Sequence, residues 1–155
     1  WDPSRCHVLF PAPPARPEKR FALAAAAVEL LDGRAPPVEL HVLETVPPGE
    51  VPVWLNAAAV VVLTSSHEGS SNAVKEALAC NVAVVSVDVG DVRERLDGVD
   101  GCFVAEATPE AIAEKLELAL TGPERIAGRE RVAHLSLARV TDDLKAIYAT
   151  LAGER

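Results

Sequence analysis

The chain has 155 residues, 49% of them hydrophobic, which suits one domain with a sizeable core. Its 23 acidic residues outnumber its 15 basic residues, and the net charge of -8 argues against a nucleic-acid partner. No apolar run is long enough to cross a bilayer, so we expect no transmembrane segment. The scattered cysteines Cys6, Cys80 and Cys102 lack metal-binding spacing, and we expect reduced thiols in a cytoplasmic protein. Because the sequence starts at Trp1 and contains no methionine, we expect it to be part of a longer protein.

Short apolar runs alternate with segments of helical periodicity along the chain. Strands are predicted at residues 6–10, 38–43, 60–63, 82–87 and 102–104. Helices are predicted at residues 18–31, 51–56, 72–80, 92–96, 109–121 and 136–151, with a broken helical segment from about residue 124. This alternation predicts one α/β domain over residues 1–155, with a Rossmann-like open parallel sheet of about five strands and helices on both faces.

A polar loop joins the third predicted strand to the third predicted helix. Ser70 or Ser71 can act as the N-cap of that helix, whose unpaired amides attract phosphate. Two carboxylates bracket the helix start, Glu68 in the loop and Glu76 within the helix, with seven residues between them. The loop therefore combines an anion site with two hydrogen-bond acceptors.

The segment from Glu68 to Cys80 resembles the Glu-x7-Glu signature of retaining glycosyltransferases of the GT-B fold, family 4 type. The resemblance extends from Val8 to about Leu120. In that family the signature lies in the C-terminal domain, which binds the nucleotide-sugar donor. The resemblance implies that the chain is the donor-binding half of an enzyme that moves a sugar from a nucleoside diphosphate sugar to an acceptor hydroxyl. It also implies a missing N-terminal acceptor domain, no cofactor, and no divalent metal for catalysis, so the isolated chain is expected to bind without catalysing.

Each candidate site residue has a role that its chemistry permits. Carboxylates accept hydrogen bonds from adjacent hydroxyls, so Glu76 suits the ribose and Glu68 the transferred sugar, as the resemblance also implies. The alternatives are a solvated helix face for Glu76 and a loop carboxylate that caps a neighbouring amide for Glu68. Gly69 permits close approach of the backbone to a ligand. Amides for the distal phosphate or the sugar are expected from Ser70, Ser71 and Asn72.

Cations for the phosphates are expected in the loop after the first strand. Related enzymes have an arginine and a lysine there, five residues apart. Lys19 matches the lysine, which the resemblance assigns a catalytic role beside Glu68, but Pro14 stands where the arginine would be. Arg16 or Arg20 would have to supply the second charge, and otherwise both are solvated charges near a helix start.

The chain also departs from the family pattern. Residues 43–51 leave no room for a short strand that the family usually has, so we expect five strands in the order 2-1-3-4-5. In the family, the backbone of that region forms part of the site for the nucleotide base. Residues 44–46 are our candidate for the segment that takes its place here. Four positions carry a residue where the family commonly has glycine or proline: Ser71, Asn81, Ala83 and Asp91.

Two other function classes remain open at this point. One is a nucleotide- or phosphosugar-binding module or an epimerase-like relative, and an epimerase would need both carboxylates and a histidine at the anomeric region. His67 adjoins Glu68 and is a further candidate for the lining of the donor site. The other is a non-catalytic structural or assembly domain. His7 and His41 lie within predicted strands, where we expect them to be packed or at sheet edges. The base, the sugar, the acceptor and the oligomeric state are left open by the sequence.

Overall fold

The computed structural model describes residues 1–153 and contains a five-stranded, all-parallel sheet in the order β2-β1-β3-β4-β5. The predicted fold class and strand order are therefore confirmed. The strands are β1 (Cys6–Phe10), β2 (Val38–Val42), β3 (Val60–Leu63), β4 (Ala83–Val87) and β5 (Phe103–Ala105). The helices are α1 (Phe21–Glu29), α2 (Val51–Ala57), α3 (Asn72–Ala79), α4 (Val92–Leu96), α5 (Pro109–Thr121), α6 (Arg129–Val132) and α7 (Leu137–Gly153).

The central strands β3 and β4 are buried along their whole length. Their continuous apolar runs fit a position between two helical layers, because a parallel sheet is covered on both faces. On one face α1 packs against α5, and on the other α3 contacts α2, α4 and α6. The carboxyl ends of β1, β3, β4 and β5 consequently meet at one edge of the sheet, where ligands of open α/β folds bind.

The segment before α1 differs from the prediction of a helix that starts at Glu18 or Lys19. A 3-10 turn covers Pro17–Lys19, Arg20 adopts a left-handed conformation with φ of 51°, and α1 begins only at Phe21. The cause lies far away in sequence: the hydroxyl of Thr64 donates to the carbonyl oxygens of both Lys19 and Arg20. Tertiary hydrogen bonds thus override the local helical preference, which is weak beside such contacts.

Two departures from the family pattern are accommodated by the fold. Asn81 has φ of 57° at the end of α3, a left-handed conformation that asparagine adopts more readily than most residues other than glycine. Its side-chain oxygen also accepts a hydrogen bond from the amide of Arg129 at 2.9 Å. Ala83 is buried in β4, opposite Val60 of β3.

The C-terminal helix α7 presents an apolar stripe to solvent. In the part of α7 that the structure describes, no residue is buried. The exposed apolar side chains recur at helical spacing and are Leu137, Val140, Leu144, Ile147, Tyr148 and Leu151. Within residues 1–153, no helix is both long and apolar enough to cross a membrane.

Candidate functional site

The loop after β1 is tied to the loop after β3 by hydrogen bonds. The hydroxyl of Thr64, which is inaccessible to solvent, donates to the carbonyl oxygen of Lys19 at 2.7 Å. The amide of Ser66 donates to the carbonyl oxygen of Glu18 at 2.8 Å. These bonds hold the 3-10 turn against the carboxyl end of β3 and so place Lys19 beside the loop that carries Glu68.

Lys19 and Glu68, the two predicted catalytic residues, form an ion pair. The ammonium of Lys19 donates to Oε1 of Glu68, and the hydroxyl of Ser65 donates to the same oxygen at 2.8 Å. Burial by itself raises the pKa of Glu68, but the hydrogen bonds from Lys19 and Ser65, with the charges of Lys19 and Arg16, hold the pKa below its usual value. Glu68 is therefore held in place as a carboxylate through its Oε1. Its Oε2 takes part in neither of these two bonds.

The two candidate arginines have different surroundings. The guanidinium of Arg20 donates to the carbonyl oxygens of Thr64 and Ser65, the second at 3.0 Å, so this residue stabilises the end of β3. Arg16 pairs with the carboxylate of Glu18 at 2.6 Å, and its side chain is 55% exposed. Arg16 is thus the arginine that can turn toward an incoming anion at small cost.

The start of α3 has the geometry of an anion site. Ser71 is the N-cap residue in an extended conformation, as predicted for one of the two serines. In the described chain its side chain makes no capping bond, and the hydroxyl of Ser70 donates instead to Asp91 at 2.6 Å. The first-turn amides of α3, near Asn72, are consequently not occupied by the N-cap side chain, and they remain available to a ligand.

The turn between β4 and α4 supports this loop, a role that sequence reasoning missed. Gly90 has φ of 56°, and a Cβ atom there would lie 2.8 Å from the carbonyl oxygen of Glu68 and closer still to that of Gly69. Asp91 accepts hydrogen bonds from Ser70 and from Arg95, the latter at 2.9 Å. Although burial raises the pKa of Asp91, these two donors bring it below its ordinary value. In the sequence, this role of the turn was indicated only by a glycine, Gly90, shortly after the buried strand β4.

Gly69 itself has open space beside it. A Cβ atom built there would meet no atom of the described chain within 4 Å, and its φ lies outside the left-handed region. The protein therefore does not require glycine at this position for its own packing. A ligand that approaches the backbone closely at Gly69 would require glycine there, because a side chain would occupy its space.

Glu76 lies apart from the Lys19–Glu68 pair, in a groove of about 510 Å³ between α3 and the C-terminal segment. The groove is lined by Asn72, Lys75, Glu76, Ala79, Val132, Leu135, Ser136 and Val140. Glu76 is an exposed residue, but partial burial of its carboxyl still raises its pKa, against the opposing charge of Lys75. Asn72, which lines the same groove, lies at the start of α3, about 6 Å along the helix axis from Glu76.

Comparison with known proteins identifies a family for this chain. A family model described as glycosyl transferases group 1 matches residues 13–121. The alpha-maltose-1-phosphate synthase of Mycolicibacterium smegmatis is 30% identical over 154 residues, which cover 91% of this chain and 39% of that protein. The D-inositol 3-phosphate glycosyltransferase of Frankia alni is 37% identical over 78 residues, which cover 50% of this chain and 19% of that protein. The chain thus spans less than half the length of these relatives.

Solved structures show the same fold. A sucrose-phosphate synthase from Thermosynechococcus elongatus superposes with a TM-score of 0.74 at 18% identity, covering 97% of this chain and 46% of that one. An alpha,alpha-trehalose-phosphate synthase (UDP-forming) from Burkholderia vietnamiensis gives a TM-score of 0.73 at 13% identity, with the same coverage. The family model matches well over half of the residues of this chain. The chain therefore belongs to the glycosyl transferases group 1 family.

Proposed function

We propose that the chain is the donor-binding half of a retaining GT-B glycosyltransferase that transfers a sugar from a nucleoside diphosphate sugar without a divalent metal. The observation that carries the proposal is the Lys19–Glu68 pair, held beside the available amides at the start of α3. An ammonium, a helix start and a fixed carboxylate within one loop cluster suit a diphosphate joined to a sugar.

Lys19, Arg16 and the α3 amides would stabilise the leaving diphosphate. A lysine ammonium has three donors, so Lys19 can keep its bond to Glu68 and still donate to phosphate oxygens. When the bond between the anomeric carbon and the diphosphate oxygen breaks, the charge that develops on that oxygen would fall beside these donors. Fixed positive groups of this kind make a metal unnecessary for the step.

The two carboxylates would accept hydrogen bonds from the two parts of the donor that carry hydroxyl groups, the transferred sugar and the ribose. Glu68 has Oε2 available for hydroxyls of the sugar, and its position is fixed by Lys19 and Ser65. Glu76, on the groove side of α3, would accept hydrogen bonds from the ribose diol. The base would lie toward residues 44–46, in the loop between β2 and α2.

The acceptor site would come from a second, N-terminal domain that faces this one. The apolar stripe of α7 supports this, because a helix with one exposed apolar face usually packs against a partner. The isolated chain is accordingly expected to bind nucleotide and to transfer no sugar.

The test separates the ribose contact from the phosphate contacts by calorimetric titration of UDP, GDP, ADP and inorganic pyrophosphate. Glu76→Ala should weaken the preferred nucleoside diphosphate about tenfold, the loss of one or two hydrogen bonds, and leave pyrophosphate unchanged. Lys19→Ala should weaken both ligands. Glu117→Ala, an exposed glutamate on α5 across the sheet, is the matched control and should change neither.

Several results would count against the proposal. If Glu76→Ala weakened pyrophosphate as much as nucleotide, Glu76 would not bind the ribose. If no nucleoside diphosphate bound, a structural or assembly role would replace the enzymatic one. If EDTA abolished binding, the site would depend on a metal, contrary to the proposed mechanism.

A further inference from the structure

Three side chains with metal-binding chemistry meet on one face of the sheet, at the edge formed by β1 and β2. In the parallel register His7 lies opposite Glu39, and His41 follows two residues further along β2. Residues two apart on a strand point to the same face, so all three project together. The ligating atoms of His7, Glu39 and His41 lie within 4.8 Å of one another.

His7 is held with one ring nitrogen directed at this cluster. Its Nε2 is 2.8 Å from the carbonyl oxygen of Asp2, and since a carbonyl only accepts, Nε2 must donate. In the neutral imidazole this leaves Nδ1 with its lone pair, 2.9 Å from Nε2 of His41. His7 is 7% exposed. A buried histidine that donates its second N–H to a backbone carbonyl is the arrangement that orients histidine ligands in metal sites.

His41 is fixed by aromatic packing, whereas Glu39 is accessible. The ring of Trp1 stacks on His41 with centroids 3.7 Å apart, and Trp54 packs edge-on against Trp1. The side chain of His41 is 14% exposed and that of Glu39 is 43% exposed. The two imidazoles are therefore preorganised, and the exposed carboxylate leaves a path by which an ion can enter.

The distances are compatible with a shared ion after a small adjustment. Zinc–nitrogen bonds are about 2.0 to 2.1 Å long, so tetrahedral coordination places two nitrogen ligands about 3.3 Å apart and right-angled coordination about 2.9 Å. The observed 2.9 Å between the two histidines lies at the lower value. Oε1 of Glu39 is 3.9 Å from Nε2 of His41, and this exposed side chain can move closer at little cost.

We propose that His7, Glu39 and His41 bind a divalent transition-metal ion such as Zn²⁺. Two neutral imidazoles and one carboxylate suit Zn²⁺, Co²⁺ or Ni²⁺ rather than Mg²⁺ or Ca²⁺, which prefer oxygen ligands. Three protein ligands leave at least one coordination position for water. The ion would join β1 to the edge strand β2 and, through Trp1 and Asp2, would anchor the segment that precedes β1.

A competing explanation is that the two histidines form only a hydrogen-bonded pair. That pair accounts for His7 and His41, and Arg5 offers Glu39 a distant partner at 3.9 Å. It predicts no selective affinity for transition metals and no dependence on Glu39. The two explanations consequently differ in measurable ways.

The experiment is a Co²⁺ titration of the metal-free chain, followed by tryptophan fluorescence and calorimetry, with a phosphine as the reductant. The chain has two tryptophans, Trp1 and Trp54, and both lie in this cluster, so a paramagnetic ion bound here should quench the signal. We expect one ion per chain, saturation at micromolar Co²⁺, displacement by Zn²⁺ and a higher melting temperature with Zn²⁺. Mg²⁺ should produce none of these changes.

Variants assign the binding to these side chains. His41→Ala should weaken Co²⁺ binding at least a hundredfold and Glu39→Gln at least tenfold, the second variant guarding against misfolding of the first. His134→Ala, which removes a histidine elsewhere on the surface, and Cys6→Ser, which removes the nearest thiol in sequence, should leave binding unchanged. A chain with one residue added before Trp1 should also bind normally, because the α-amino group is not among the proposed ligands.

The proposal is overturned if binding needs millimolar Co²⁺, if Glu39→Gln and His41→Ala bind as the unaltered chain does, or if the added residue abolishes binding. Lys19→Ala should bind metal normally, since Lys19 follows the carboxyl end of β1 whereas His7 lies near its start. Loss of the metal should leave nucleotide binding intact, so failure of either proposal can be told from failure of the other.

Discussion

Gly90→Ala is the substitution that most directly tests how the β4–α4 turn supports the candidate site. Gly90 has φ of 56°, where an alanine costs about 1 to 2 kcal/mol. The new Cβ atom would also stand 2.8 Å from the carbonyl oxygen of Glu68 and nearer to that of Gly69. Both are backbone atoms that cannot rotate away, and overpacking of this kind costs about 1 to 3 kcal/mol. The total expected loss in the free energy of unfolding is about 2 to 5 kcal/mol.

Gly98→Ala provides a matched control for the conformational part of this loss. Gly98 has φ of 69°, and a Cβ atom there meets nothing within 4 Å in the described chain. Its replacement should therefore cost only the left-handed conformation, about 1 to 2 kcal/mol. The smaller entropy of the unfolded state after a glycine-to-alanine change is common to both variants and cancels in the comparison.

The assay is urea denaturation of the two variants and the unaltered chain, followed by nucleoside diphosphate titration under folding conditions. We expect Gly90→Ala to be less stable than Gly98→Ala and, because Glu68 and Gly69 are displaced, to bind nucleotide more weakly. Gly98→Ala should bind normally once it is folded. If the two variants lost equal stability within about 0.5 kcal/mol, the contact between the two loops would be refuted.

Two further predictions concern the loop itself. Glu68→Gln should cost about 1.5 to 3 kcal/mol at neutral pH, because Glu68 loses a charged hydrogen bond to Lys19. Since the folded pKa of Glu68 lies below its ordinary value of 4.5, this stabilisation is complete above pH 4.5 and is lost as the pH falls through the folded pKa. The difference in stability between the two proteins should therefore narrow as the pH falls below 4.5, and a constant gap would contradict the assignment. Gly69→Val should leave the melting temperature nearly unchanged, because nothing lies within 4 Å of its Cβ position, yet it should abolish nucleotide binding by occupying the ligand's space. A stable Gly69→Val protein with normal affinity would place the ligand elsewhere.

The sheet was predictable because its signals are local. The strands β1 and β3 have the predicted bounds, since each apolar run is short and ends at a turn or a polar residue. The helix α4 also has its predicted bounds and lies between two turns. The start of α1 was not predictable in this way. The conformation of Arg20 depends on Thr64, whose hydroxyl bonds to a carbonyl 44 residues earlier in the chain. Local propensity contains no information about such a contact.

The candidate site was predicted only in part. Resemblance singled out Lys19 and Glu68, and the structure shows that they touch. Composition and spacing could not show that the Arg20 side chain donates to backbone carbonyl oxygens, because main-chain acceptors are present at every residue and leave no mark in the sequence. The cluster of His7 with His41 was hidden as well, because the register of β1 and β2 decides which residues meet across the sheet edge.

The charge pattern at the site is compatible with the proposed anionic ligand, although the chain as a whole is acidic. The net charge is -8, and two of the cations near the α3 start already have a carboxylate: Glu68 for Lys19 and Glu18 for Arg16. The Arg16–Glu18 pair is exposed and therefore worth little, so a diphosphate can take Arg16 from it. The Lys19–Glu68 pair is mostly buried, with side chains 18% and 16% exposed, and breaking it would cost far more. The ligand should thus draw Arg16 to itself and share Lys19 without releasing Glu68. In the proposed complex, that order of costs would keep the Glu68 carboxylate in place for the sugar while the diphosphate is bound.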